Sequence, residues 1–181
     1  MNNQVSDSLI YAAMTLPEDA PEDLELVLQE LGAGDNRFGG TSYGRGECDL
    51  RTFLLECRNA ENPAKIPASL VPQSTYWLVD DGNRVIGMVR VRLRLNERLL
   101  QYGGHIGYYV RESHRGKGHG KQALRLGLAQ LRGLGVSRAL LTVNPANTPS
   151  KLVVMANGGV PDGQGVDPVS GETVDQFWIE L

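Results

Sequence analysis

The chain has only two cysteines and three histidines. Cys48 and Cys57 stand nine residues apart with no histidine nearby, which fits no zinc spacing. Both are expected as reduced thiols, and Cys57 falls in the apolar pattern of a helix. No apolar run is long enough to span a bilayer. Met1-Asn2-Asn3-Gln4 lacks the basic and apolar regions of a secretory signal, so a cytoplasmic protein without membrane attachment is expected. Excess positive charge is also lacking. The formal net charge of −3 argues against nucleic acid as the main partner.

With 181 residues, 41% of them hydrophobic and 22% charged, the chain can form one soluble α/β domain with a full core. Its charge is uneven. Residues 18–30 are acid-rich and residues 84–132 base-rich, which suits a polyanionic ligand on the C-terminal half. Solvated surface charge is the competing explanation.

The most informative stretch is Arg115-Gly116-Lys117-Gly118-His119-Gly120, between strand-like residues 106–110 and helix-like residues 121–134. Glycines without Cβ let successive N–H groups converge on an outside atom, and a helix start adds unpaired donors and a positive dipole end. A phosphate or pyrophosphate is the expected ligand. A Walker loop fails because Arg115 replaces its first glycine and Gln122 its hydroxyl residue. A dinucleotide fingerprint fails because Lys121 replaces its third glycine. The pattern R-x-x-G-x-G fits, as Arg115, Gly118 and Gly120.

The coarse order of elements predicts one mixed, mostly antiparallel sheet flanked by helices. Residues 8–14 read as a strand. Pro21-Glu22-Asp23 opens a helix striped by Leu24, Leu28 and Leu31 and stopped by Gly32. Residues 33–46 form a glycine-rich loop with Arg37, Phe38, Tyr43 and Arg45, and residues 49–58 a second helix capped by Asp49. Residues 75–80 and 84–95 make a hairpin turning at Asp81-Gly82-Asn83. Its second arm sets Val85, Val89, Val91, Leu93 and Leu95 against Arg84, Arg90, Arg92 and Arg94, with Ile86 and Met88 among the arginines. That basic face is expected in solvent or in salt bridges to an acidic helix, ahead of a substrate role. Residues 96–104 read as a loop, 105–110 as a strand and 120–135 as a helix. Residues 138–144 follow as a strand, 149–157 as a short helix and 173–181 as a closing strand.

Together, the R-x-x-G-x-G loop, the preceding Tyr108-Tyr109-Val110 and the Asn147-Thr148-Pro149-Ser150 element resemble the GNAT superfamily of N-acetyltransferases. The resemblance covers roughly residues 74–181. Within it the chain resembles a bacterial branch of predicted acetyltransferases, through Tyr76-Trp77-Leu78-Val79, Gly103-Gly104-His105-Ile106-Gly107-Tyr108 and Trp178-Ile179-Glu180-Leu181. The resemblance implies splayed strands around acetyl-CoA, bound as cosubstrate, with residues 74–181 as the cofactor-binding core. Residues 1–73 would then form the acceptor side of the same domain. It implies cofactor contacts at Tyr108, Tyr109, Val110, Arg115, Gly116, Lys117, Gly118, His119, Gly120, Lys121, Asn147 and Ser150. Asn147 serves equally well as a helix cap.

The expected activity is direct transfer of an acetyl group to a primary amine, of a small molecule or of a peptide or protein. Nucleic acid and membrane are not expected as partners, and a homodimer is left open. The rivals are a catalytically silent acyl-CoA sensor and a nucleotide-binding protein. Many GNAT members place a Tyr acid seven residues beyond the Asn, where this chain has Val154. Candidate bases are His105, with a reference pKa of about 6.5, Tyr109 on the same face, and Glu97. A hydrogen-bonded structural histidine is the favoured competing reading for His105, and a surface position for Glu97. Glu112 is expected to face solvent. His105, His114 and His119 straddle a strand, a turn and a helix start, so no metal site is expected.

Overall fold

Pro21, Glu22 and Asp23 lead into helix α1, Leu24–Leu31, whose Leu24, Val27, Leu28 and Leu31 are buried. Gly32, with φ of 51°, ends it. The computed structural model describes residues 10–13, 21–35 and 38–181, so Arg37 lies outside the described residues. Of the expected strand 8–14, the described part is β1, Ile10–Ala13. The expected glycine-rich loop holds a two-residue hairpin, β2 (Gly34–Asp35) and β3 (Phe38–Gly39). Helix α2, Leu50–Ala60, is capped as predicted: Asp49 accepts the Thr52 N–H at 2.8 Å.

The predicted hairpin is β4, Gln73–Val79, and β5, Val85–Arg92. Asp80 shapes its turn by accepting the N–H groups of Gly82 and Arg84, and Asn83 adopts a left-handed φ of 57°. β5 is shorter than its pattern suggested, and its phase shifts. Leu78 pairs with Gly87 but Val79 pairs with Val85, so Ile86 is the extra residue of a bulge. The bulge flips the alternation. Ile86 joins Val89 and Val91 in one core, while Val85 joins Met88 in the other. The expected grouping of Val85 with Val89 is thereby corrected.

Helix α3, Glu97–Gln101, occupies the expected loop, with Asn96 accepting the Leu99 N–H at 2.9 Å. Strand β6, Ile106–Val110, helix α4, His119–Gly133, and strand β7, Arg138–Val143, follow the prediction closely. Helix α5 is Thr148–Ala156. Strand β8, Val160–Val166, was not predicted, because Pro161, Gly163 and Gly165 break any apolar period. The last strand, β9, is Thr173–Glu180.

Besides the β2-β3 hairpin, the described strands form two antiparallel ladders, β1-β4-β5-β6 and β7-β9-β8. They meet where β6 begins. The His105 N–H donates to Leu140 O at 2.8 Å, and the Leu140 N–H donates to His105 Nδ1 at 2.9 Å. Beyond that point β6 and β7 both line one cleft. The expected single mixed sheet is therefore split at the splay. α4 spans both ladders: Leu124, Leu128 and Leu131 pack with Ile86, Leu141 and Phe177. α1 and α2 cover the opposite face of the first ladder, on Trp77, Val85 and Met88. Each buried Leu contributes about 1.5–3 kcal/mol. No helix among the described residues is long and apolar enough to cross a membrane.

Candidate active site

The cleft between the ladders encloses about 1380 Å³. At one end stands the glycine turn. Gly116 and Gly118 have φ of 73° and 87°, a region that favours glycine. Gly118 is the N-cap of α4 and offers no side-chain acceptor, so the first-turn amides lack the usual Asp or Asn partner. This geometry fits a phosphate-bearing cofactor. Arg115, Gly116, Gly118, Gly120 and Lys121 line the cleft. Lys117 and His119 do not: the Lys117 ammonium donates to Ser113 O, and His119 stacks 6.0 Å from His114. His119 Nδ1 is buried without a hydrogen-bond partner among the described residues. Burial lowers the pKa of both histidines.

Gly120 is glycine for a packing reason. A Cβ there would stand 3.3 Å from Val153 Cγ2 and 3.5 Å from the Tyr108 ring. Arg115 works as a brace. It donates to Val110 O at 3.0 Å and to Asp35, and lies 5.6 Å from the Tyr109 ring centroid.

The three β6 residues differ in what they offer the cleft. The Arg111 N–H donates to Ile86 O, so odd-numbered residues turn their backbone groups toward β5. The tight approach of Tyr109 O to Gly87 agrees. Tyr109 therefore has no free backbone edge, and the Val110 carbonyl is taken by Arg115. Tyr108 is the residue whose N–H and C=O face the splayed edge. Its hydroxyl shares a 2.9 Å hydrogen bond with Ser150 Oγ, and burial raises its pKa against the Ser150 bond. Asn147 caps α5 by accepting the Ser150 N–H at 3.1 Å, and both residues line the cleft. Val154, at the position of the missing Tyr, is fully buried.

The three expected bases sit in different surroundings. His105 is 8% exposed and does not line the cleft. Its Nδ1 accepts the Leu140 N–H, which leaves the proton on Nε2 and no free lone pair. Burial lowers its pKa, partly offset by the Leu140 bond. Glu97 is exposed at the start of α3, off the cleft. The Tyr109 hydroxyl donates to Glu30 Oε1 at 3.1 Å, and burial and the Glu30 charge push its pKa up to about 12. Burial pushes the Cys57 thiol up to about 11, and neither cysteine lines the cleft. No group of His, Cys, Asp and Glu among the described residues could hold a metal ion.

The profile of the acetyltransferase (GNAT) family matches residues 46–153, more than half of the chain. The protein is a GNAT acetyltransferase. No curated protein matches the sequence. Solved structures share its fold at low identity. One is RimL, a ribosomal L7/L12 alpha-N-protein acetyltransferase in complex with coenzyme A, at 16% identity and a TM-score of 0.68, covering 98% of this chain and 96% of that one. Another is a Salmonella typhimurium acetyl transferase that modifies the N-terminal serine of L7/L12, at 18% identity and a TM-score of 0.66, covering 98% and 97%. A third is yncA, a putative acetyltransferase from Salmonella typhimurium with acetyl-CoA, at 14% identity and a TM-score of 0.63, covering 97% and 95%.

Several cleft residues of this GNAT protein escaped the sequence reading. Glu172, before β9, lines the cleft and accepts the Tyr102 hydroxyl at 2.9 Å. Arg90 and Arg92 line it too, on the strand face for which solvent or salt bridges were favoured over a substrate role. A basic period-2 pattern signals the face but not what the face looks into.

Proposed function

We propose that the protein transfers an acetyl group from acetyl-CoA directly to a primary amine. One observation carries the reading: a single cleft runs from an uncapped helix start, past the unpaired edge of β6, to a side rich in polar groups. Bound acetyl-CoA supplies an acetyl carbonyl whose C–S bond breaks as the C–N bond to the acceptor forms. The amine gives up one proton to a base, and the sulfur leaves as a thiol with a proton from an acid. Solvent returns the base's proton to the acid between turnovers. The α4 amides from Gly118 to Lys121, with Gly116, hold the pyrophosphate. The Tyr108 backbone and the Asn147 side chain steady the arm along the splay.

The Tyr108–Ser150 pair replaces the missing Tyr at Val154. The raised pKa keeps the Tyr108 phenol protonated at neutral pH, ready to donate toward the leaving sulfur. Glu172, which lines the cleft and accepts a hydrogen bond from the neutral Tyr102 hydroxyl, receives the amine proton; Asp35, the other acidic residue there, is ion-paired with Arg115. The cysteines lie off the cleft, which favours a ternary complex over an acyl-enzyme. Residues 74–181 hold the cofactor. The acceptor enters from the side of β3 and the segment before β4, where Phe38, Ser69 and Gln73 line the cleft. Peptide N-termini belong among the acceptors to try, given what the RimL relative acts on.

The test is thiol release from acetyl-CoA over a broad panel of amines and peptides. Amine-dependent release with recovery of the N-acetylated product is expected. Tight acetyl-CoA binding with no release for any amine would favour the silent sensor, the reading that Val154 supports.

A further inference from the structure

We infer that the acceptor amine also carries a carboxylate, held in the cleft by Arg90 and Arg92. The inference rests on the transfer reading above and names the class of substrate. Beyond the bulge the alternation of β5 is regular, so Arg90 and Arg92 share the Met88 face, toward the N-terminal side of the cleft. Two positions apart on one strand, their Cα atoms stand about 7 Å from each other. Both side chains line the cavity and both are half-buried.

Their partners are all neutral. Arg90 donates to Gly39 O at 2.8 Å and Gly40 O at 3.2 Å, with its guanidinium 4.5 Å from the Phe38 ring centroid. Arg92 donates to Gly104 O at 3.0 Å. Neither forms an ion pair among the described residues. More exposed arginines such as Arg84, Arg98 and Arg115 pair with Asp80, Asp167 and Asp35. The half-buried Arg111 pairs with Asp23 and Glu30. Arg90 and Arg92, neighbours on one strand face, have no carboxylate of this kind among the described residues. Burial pushes both Arg90 and Arg92 down to about 10, and for Arg92 the Arg90 charge adds to it.

Two like charges taken from water without a counterion are costly, and an anion entering the cleft relieves both. The carboxylates already in the cleft do not serve, because Asp35 is bonded to Arg115 and Glu172 to Tyr102. The cofactor's phosphates have the glycine turn. A guanidinium fork matches a carboxylate edge, and Arg90 and Arg92 keep most of their five N–H donors each. Gly39 and Gly40 fix Arg90 and Gly104 fixes Arg92, so the forks are held before a ligand arrives.

The test compares matched acceptors in the thiol-release assay. One arm pairs β-alanine, 4-aminobutyrate and 5-aminopentanoate with their carboxamides. The other pairs peptides beginning with Asp or Glu with their Asn or Gln counterparts, which separates small acids from peptide side chains. In at least one arm the acid should exceed its amide by tenfold or more in kcat/KM. Arg92→Gln should erase that preference to within twofold while the calorimetric Kd of acetyl-CoA stays the same, and Arg92→Lys should keep part of it. Amides that match their acids, or a preference that survives Arg92→Gln, would overturn the assignment. If acetyl-CoA binds but no amine is acetylated, the transfer reading fails instead. The arginine pair is then judged on succinate titrated by NMR, which should bind at least tenfold more weakly to Arg92→Gln. Equal succinate binding would overturn it.

Discussion

The two ends of the cleft are built from different materials. The phosphate end is made of backbone: uncapped amides at the start of α4, reached through Gly116 and Gly118 in left-handed conformations. The end proposed for the acceptor is made of side chains, Arg90, Arg92, Tyr102 and Glu172, drawn from β5 and from segments far apart in the chain. Backbone recognition needs a local conformation, and glycine spacing encodes local conformation. Side-chain recognition depends on which distant residues the fold brings together. The first end therefore tolerates many sequences that keep the turn, and the second can change its ligand through single substitutions.

The largest effect is expected at the seam between the ends. Removing the hydroxyl pair proposed to protonate the leaving sulfur, Tyr108→Phe with Ser150→Ala, should lower kcat by about 10²-fold or more while acetyl-CoA affinity holds. Kinetics beside calorimetry reads the two separately. Activity kept within threefold would show that water protonates the sulfur.

Next comes the backbone end. Gly118→Val places a β-branched residue at φ of 87°, a strain of about 1–3 kcal/mol. Calorimetry should show acetyl-CoA binding weakened about 10- to 100-fold in the folded variant, with the ranking of acceptors unchanged. A shifted ranking with intact affinity would reverse the comparison between the ends.

The smallest effect belongs to His105, at the join of the two ladders. Burial lowers its pKa, so the folded protein favours the neutral ring. Stability from this group is present above the unfolded pKa of about 6.5 and is lost as pH falls below it toward the lower folded value. His105→Gln should flatten that part of the Tm-versus-pH curve and leave the pH–rate profile alone. Loss of the acidic limb of the rate profile would restore His105 as a base.

These contrasts also explain what the sequence disclosed. The loop, α1, α2, α4 and the hairpin were legible because each is announced locally, by Gly116 and Gly118, by Asp49 as a cap, or by the leucine stripes. α3 was hidden because five residues hold too little periodicity, and β8 because Pro161 and its glycines carry none. The bulge at Ile86 could not be read, since two phases of one apolar run look alike until the partner strand is placed. The surroundings of His105 were hidden for the same reason. Its position near Tyr108 suggested the cleft, but a contact 35 residues away, with Leu140, decides where its ring nitrogen goes.

β8 has a further consequence for how the molecule meets others of its kind. It is the outer strand of its ladder, with β9 on its inner side. An open strand edge invites another chain to add on and propagate the sheet. Here Pro161 removes a donor, and the pairing with β9 slips between Pro161 and Gln164. α3 also approaches so closely that Gly165 has no room for a Cβ beside the Gln101 carbonyl. An incoming strand would find neither a continuous row of donors nor a flat register. The irregularity that concealed β8 in the sequence thus guards the finished fold against edge-to-edge aggregation.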